Sequence, residues 1–248
     1  MIDWDNYFDR IYCIFFLPNK ERFFRLDKEF ERVGLKKCKN FAYDFVTPSS
    51  FDLQVFGEVQ QKPHLRIFKP AYVNQLRNFE IIVRRAIAVN SELTLIVEDD
   101  VAFLKDLDRI DEIIRTMPKG FHAFQMEKNV PTHRQVEWDR LCKAKSINCN
   151  WVDASGVNFT AAGCNAFTRE GLEELLRIIS TCPGSIDQFG EKFSLPWAIS
   201  RENLTMQIFY SNAVCMTYAS INALHNCYQN IDYSKYACPP NYTKGIFL

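Results

Sequence analysis

Leu93-Thr94-Leu95-Ile96-Val97-Glu98-Asp99-Asp100-Val101 is the stretch that decides the fold of this chain. Four of its first five residues are apolar and two of those are β-branched. Such a run reads as a strand buried on both faces of a helix-covered sheet. Three adjacent carboxylates follow, and no basic residue appears until Lys105. Like charges at one strand end repel one another. They are tolerable where they meet water or, better, a divalent cation, because oxygen ligands suit Mg2+ and Mn2+. In open α/β sheets ligands bind beyond the carboxyl ends of the strands, where these acids would stand. The competing interpretation is a solvated turn leading into the next helix. It suits a lone acidic pair better than three acids directly behind a buried strand.

Upstream, Tyr72 to Val89 carries Val73, Leu76, Phe79, Val83, Ala86 and Ile87 at helical period and delivers the chain into the Leu93 strand. Arg10 to Leu17 is a β-branched and aromatic run closed by Pro18-Asn19, a first strand. The segment Lys20 to Val33 sets Phe23, Phe24, Leu26, Phe30 and Val33 on one helix face, and Gly34 ends it. Asn40 to Val46 reads as a second strand before the loop Thr47-Pro48-Ser49-Ser50; from there to Pro70 the pattern is weak.

Downstream, Leu107, Ile110, Ile113, Ile114 and Met117 mark a helix, and Phe121 to Met126 a strand that Glu127 ends. Pro131 to Asn150 reads as a solvated excursion, with a surface helix around Arg134 to Leu141 as the alternative. Trp151 to Ala162 is extended, with a break at Ser155-Gly156. Thr168 caps a helix that turns Leu172, Leu175, Leu176 and Ile179 inward. After the break at Pro183-Gly184, the run Ser185 to Phe189 opens a new segment. Met206 to Tyr210 and Val214 to Tyr218 are late strands, and the tail from Asn226 reads as a wrapped loop. No repeat or linker interrupts the chain, so the expectation is one α/β domain over residues 1–248.

A chain of 248 residues can bury one substantial core. Its 47% hydrophobic and 24% charged residues are ordinary for a globular protein. The formal net charge of zero gives no reason to expect nucleic acid as a partner. No apolar run approaches the roughly 20 residues of a membrane span. Asp3, Asp5 and Asp9 give the N-terminus the wrong charge for a signal peptide. Nine cysteines without a C-x-x-C pair read as reduced thiols in a cytoplasmic setting. The N-x-T triplets at Asn158, Asn203 and Asn241 then carry no weight as glycosylation sites. With nine glycines and no Gly-rich cluster, a phosphoryl-transfer enzyme with a phosphate loop is disfavoured.

The order of the pieces resembles glycosyltransferase family 25, the lipopolysaccharide-biosynthesis type with relatives among collagen galactosyltransferases. The resemblance covers roughly residues 10 to 220. It is carried by Leu95-Ile96-Val97-Glu98-Asp99-Asp100-Val101 and by Ala162-Gly163-Cys164-Asn165-Ala166-Phe167-Thr168-Arg169-Glu170-Gly171. The chain departs from the family in three places. Phe15-Phe16-Leu17 stands where the first strand usually ends Ile-Asn-Leu. Ala71 to Gln75 stands near a usual Gly-Cys-x-x-Ser-His stretch, and Asn165 where an aromatic is common.

The resemblance implies a GT-A fold, an α/β/α sandwich with a mostly parallel central sheet. It also implies metal-assisted, inverting transfer of a hexose from a nucleotide sugar, UDP-linked, to a hydroxyl of a glycan or glycoconjugate. Mn2+ or Mg2+ is the implied cofactor. Asp100, Glu98 and a late histidine, His225, are the implied metal ligands. Glu98 and Asp99 fall on the donor side, with Arg22 placed to meet a phosphate. Asp187 is the candidate base, and Asp153 an outside candidate for donor or acceptor binding. Asp187 can equally be a helix N-cap, Arg22 an exposed helix arginine and His225 a packed or surface residue. The implied location is the cytoplasm or the cytoplasmic face of a membrane, with peripheral contact. The alternative is a non-catalytic nucleotide-sugar or glycan-binding relative, because fold does not fix function.

Overall fold

A computed structural model of the chain describes residues 2–16, 20–46, 70–99, 101–128, 130, 132–157, 163–181, 189–207, 209–211 and 214–216. The strands are β1 (Arg10–Phe16), β2 (Phe41–Val46), β3 (Leu93–Glu98), β4 (Val101–Phe103), β5 (Ala123–Gln125), β6 (Trp151–Asp153), β7 (Cys164–Thr168), β8 (Trp197–Ser200), β9 (Thr205–Gln207), β10 (Phe209–Ser211) and β11 (Val214–Met216). The α-helices among these residues are α1 (Lys20–Arg32), α2 (Pro70–Ala88), α3 (Leu107–Arg115), α4 (Gln135–Ala144), α5 (Arg169–Thr181) and α6 (Phe189–Lys192).

Seven strands form the main sheet in the order β2-β1-β3-β7-β5-β8-β6. β3 therefore lies inside the sheet, paired to β1 in parallel and to β7 antiparallel. Only β7 and β6 run against the common direction, so the sheet is mostly parallel by strand direction although mixed in its pairings.

Alternation along each strand sorts the core into two layers. On one face Ile11, Cys13, Leu95, Val97, Phe124, Cys164, Ala166 and Ala198 meet Leu26 and Phe30 of α1, Val33 just after it, and Ile110, Ile113 and Ile114 of α3. On the other face Tyr12, Ile14, Ile96, Ala123, Val152, Phe167, Trp197 and Ile199 meet three helices. These present Phe79, Ile82, Val83 and Ala86 of α2, Trp138 and Leu141 of α4, and Leu172, Leu175 and Ile178 of α5. Each large side chain buried this way contributes about 1.5–3 kcal/mol. The result is the expected α/β class with helices on both faces.

Local chemistry fixes the joints. Gly34 takes φ 82° just after α1, a conformation glycine adopts without strain. The buried Thr94 is satisfied by Ser91, their hydroxyl oxygens 2.8 Å apart. Trp4 Nε1 donates to the Val33 carbonyl at 2.7 Å, and Trp151 Nε1 to the Ile113 carbonyl at 2.9 Å, which ties α1 and α3 down. Thr168 caps α5 as expected, its Oγ1 accepting the Gly171 N–H at 3.2 Å.

Three expectations are corrected. Residues 135–144 form a helix where a solvated excursion was expected, because Trp138 and Leu141 bury against the α2 face. In α5 the deepest late residue is Ile178, whereas Leu176 and Ile179 pack at the margin. Trp197–Ser200 is an interior strand with all four residues buried, and no strand was expected there. The expected features on 47–69 and the tail from Asn226 lie outside the described residues.

Candidate active site

β3 ends at Glu98, whose backbone N–H donates to the Gly163 carbonyl at 2.8 Å. Glu98 and Asp99 are 6% and 7% exposed, so the first two acids are not the solvated turn of the competing interpretation. Val101 resumes almost at once as β4, which pairs antiparallel with β9. The free edge of β4 is closed by α1. Glu29 Oε1 accepts the Phe103 N–H at 2.8 Å, and Arg32 Nη2 donates to the Phe103 carbonyl at 2.9 Å. Arg32 also binds Glu29 through two hydrogen bonds, at 2.7 and 2.8 Å. Burial opposes ionisation of Glu29, but the bonds from Arg32 and Phe103 prevail and hold its carboxyl below the usual range. The acid turn is thus suspended between a central strand and a strand clamped on both edges.

The same sheet edge collects further polar residues. Gln125, 2% exposed, ends β5 and donates from Nε2 to the Glu127 carbonyl at 2.5 Å. Glu127, 5% exposed, accepts from Thr205 Oγ1 at 3.2 Å. Cys164 lies beside them. Burial drives its thiol far above the ordinary range, and the Glu127 charge adds to the shift, so it is no nucleophile. Lys128 follows with its ammonium donating to the Arg201 carbonyl at 2.6 Å, to Asn203 Oδ1 at 3.2 Å and to the Ser200 carbonyl at 3.4 Å. It also stands 4.9 Å from the Trp138 ring centre. Burial pushes its pKa down to about 8. With all three protons engaged, Lys128 ties β5 to the β8–β9 connection. Asn203 is held in return, donating from Nδ2 to the Lys128 carbonyl at 3.1 Å.

Arg22 falls in the first turn of α1, which follows the carboxyl end of β1 at this same edge. Asp100, Asp187 and His225 lie outside the described residues. Phe189, two positions after Asp187, is anchored by ring packing against Phe167 and Trp197. Asp153 stands apart: it ends β6, the outermost strand on the far side of the sheet, and its Oδ1 accepts the Ser155 N–H at 2.8 Å in a local turn.

Among the described residues no three His, Cys, Asp or Glu side chains form a metal cluster. The donor set nevertheless fits a hard divalent cation. Mg2+-type sites commonly use one or two carboxylates together with substrate phosphates and water, and Glu98 and Asp99 place two carboxylates at the carboxyl end of β3. Also among these residues, no helix is long and apolar enough to cross a membrane.

The motifs of the sequence give no reason to place Gln125, Glu127 or Asn165 at the site. The available signal was period: Gln125 and Glu127 alternate with Phe124 and Met126, and Asn165 interrupts an otherwise small and apolar strand.

Neither a protein-family model nor a curated sequence matches the chain. Among solved structures it is similar to a glycosyltransferase involved in glycosylation of the major capsid of PBCV-1, at 15% identity over 70% of this chain and 68% of that one, TM-score 0.38. It is similar to mouse xyloside xylosyltransferase 1 in the apo form, at 10% identity over 68% and 71%, TM-score 0.33. The mannosyltransferase PcManGT from Pyrobaculum calidifontis, in complex with GDP-Man and Mn2+, matches at 12% identity over 96% and 67%, TM-score 0.41. All three are glycosyltransferases.

Proposed function

We propose that this chain is a single-domain glycosyltransferase of the family 25 kind, moving a hexose from a UDP-linked donor to a hydroxyl of a glycan or glycoconjugate. The observation that carries the reading is the buried pair Glu98 and Asp99 at the carboxyl edge of an interior strand. Ligands bind beyond the carboxyl ends of strands in open α/β sheets, and carboxylate oxygens there suit a hard divalent cation together with phosphates. A donor diphosphate brings its own counter-cation and makes such a pair useful.

Asp100 and Glu98 would hold the cation, with His225 as a further ligand, while Glu98 and Asp99 would lie on the donor side and Arg22 would meet the phosphates. Bound there, Mn2+ or Mg2+ supplies positive charge against the departing diphosphate. The acceptor oxygen attacks the anomeric carbon from the face opposite the diphosphate, the bond to the diphosphate breaks, and configuration inverts. Asp187 takes the acceptor proton. The setting is the cytoplasm or the cytoplasmic face of a membrane.

The test is a screen of nucleotide sugars for Mn2+-dependent donor hydrolysis, with Asp100→Ala as the control. Wild type should hydrolyse one donor. Asp100→Ala should fold normally and lose several kcal/mol of transition-state stabilisation, the usual size of a metal contribution. Unchanged turnover in folded Asp100→Ala removes the assignment. Donor binding without any turnover makes the chain a binding relative of the same fold.

A further inference from the structure

The N-x-T triplet Asn203-Leu204-Thr205 has a structural use for each of its residues. The Asn203 side-chain amide, donor and acceptor at once, spans both backbone groups of Lys128. Its Oδ1 accepts the Lys128 N–H at 3.1 Å, and its Nδ2 donates to the Lys128 carbonyl at 3.1 Å. The Leu204 N–H donates to the Met126 carbonyl at 2.9 Å. Thr205, 0% exposed, donates from Oγ1 to the Glu127 carboxylate at 3.2 Å. The triplet thus grips Met126, Glu127 and Lys128, directly behind β5. That strand lies inside the main sheet, paired to β7 and β8, and is a fixed frame for whatever is fastened to it.

The grip passes on to the acid turn. Thr205 opens β9, whose register sets Phe103 opposite Thr205, Ala102 opposite Met206 and Val101 opposite Gln207. The Leu104 N–H extends the ladder by donating to the Leu204 carbonyl at 2.8 Å. Among the described residues β9 is the only strand paired with β4. β3 ends at Glu98 and β4 begins at Val101, so only Asp99 and Asp100 join them. Each residue of chain reaches at most about 3.6 Å. A link this short has little slack, and a displacement of β4 is carried into the acids.

We propose that Asn203 and Thr205 are positioning residues for the acid turn. By fastening β9 to the end of β5 they fix where β4 starts, and with it the carboxylates offered to a divalent cation. The proposal rests on the transfer reading above for the cation, whereas the tie between β5 and β4 rests on the contacts themselves.

The experiment compares wild type, Thr205→Val, Thr205→Ser and Asn203→Ser. It reads amide hydrogen exchange over residues 101–104 and Mn2+ affinity in the presence of UDP. Ser91→Ala is the control, because it removes a buried hydrogen bond of 2.8 Å before the other end of β3. Valine keeps the shape of threonine and loses the hydroxyl. In Thr205→Val exchange over 101–104 should quicken about fivefold and Mn2+ affinity should fall about fivefold, as expected for coupling through residues that touch no ligand. Thr205→Ser should restore both, and Ser91→Ala should change neither. Asn203→Ser, too short to span the Lys128 backbone, carries the same expectation should the valine variant fail to fold. Unchanged exchange over 101–104 overturns the proposal and leaves the transfer reading standing. So does faster exchange with Mn2+ affinity equal to wild type, or an equal loss in Ser91→Ala. Faster exchange in the variants of a protein whose wild type binds neither Mn2+ nor UDP keeps the tie between β5 and β4 and overturns the transfer reading.

Discussion

Glu98 and Asp99 show what a single position can reveal before its surroundings are known. Three carboxylates behind an apolar run pointed to a candidate site, and the first two of them are buried at the end of an interior strand. Asn165 and Gln125 gave no such warning. A lone amide in a short strand reads the same whether it is solvated, paired or orphaned, and only the flanking strands decide. Lys128 belongs with them: in sequence it is one of many surface lysines, and in the structure it is a half-buried cation with three acceptors. Its titration offers a test at this scale. The folded-state pKa of about 8 lies below the ordinary 10.5, so between those values the unfolded chain holds a proton that the folded one has released. Stability due to this group must therefore rise as pH increases through that window. Urea denaturation from pH 7 to 10.5 should show that rise in wild type relative to Lys128→Met. Parallel pH profiles for the two proteins would remove the account of a cation shifted by partial burial.

At the scale of elements, β3, the helix before it and the first βαβ unit were legible, because long apolar periods and the Gly34 stop leave little choice. β8 was not. Trp197-Ala198-Ile199-Ser200 is four residues long, between a proline and a charged turn, too short for periodicity to separate strand from loop. α4 was misjudged because its inward face holds only Trp138 and Leu141 amid charge. Joints between elements depend on contacts no pattern records. Gly171, in the first turn of α5, is one: an added Cβ would lie 1.9 Å from the His122 carbonyl oxygen, and backbone cannot swing aside as a side chain can. Gly171→Ala should cost about 3 kcal/mol in urea denaturation; a loss under 1 kcal/mol would mean that α5 shifts freely. The α1 clamp on β4 is another. Glu29→Ala strips the Phe103 N–H of its acceptor and Arg32 of its partner, and should cost about 1–2 kcal/mol, the pair being partly exposed. Glu29→Gln keeps an acceptor for Phe103 and should cost about half of that. If the clamp also holds the acid turn, Glu29→Ala weakens Mn2+ binding and Glu29→Gln largely restores it. Equal Mn2+ affinity in all three proteins would leave the clamp a purely structural tie.

At the scale of the molecule, the reversed strand β7 joins β2-β1-β3 to β5-β8, five strands that share one direction. The acids enter this junction from β3, and Gly163, Asn165 and Gln125 from β7 and β5. A donor seated against Glu98 and Asp99 has its diphosphate on the acid side, so an inverting attack must come from the other. On the proposed inverting reading the base would be supplied by chain distant from residues 98–100. Asp187 meets that requirement in sequence, and Asp153 is now accounted for by its own turn on the far edge strand. The N-cap role remains the competitor for Asp187, and one substitution separates the two. Asparagine caps a helix as well as aspartate does and keeps its size, but it cannot take a proton. Asp187→Asn should hold its melting temperature and its affinity for the nucleotide sugar while transfer falls roughly 10²-fold or more. The readout is initial rate against acceptor concentration, with donor binding measured separately on the same protein. Transfer at the wild-type rate would make Asp187 a cap, and the base would then have to be sought elsewhere around the carboxyl edge of the sheet.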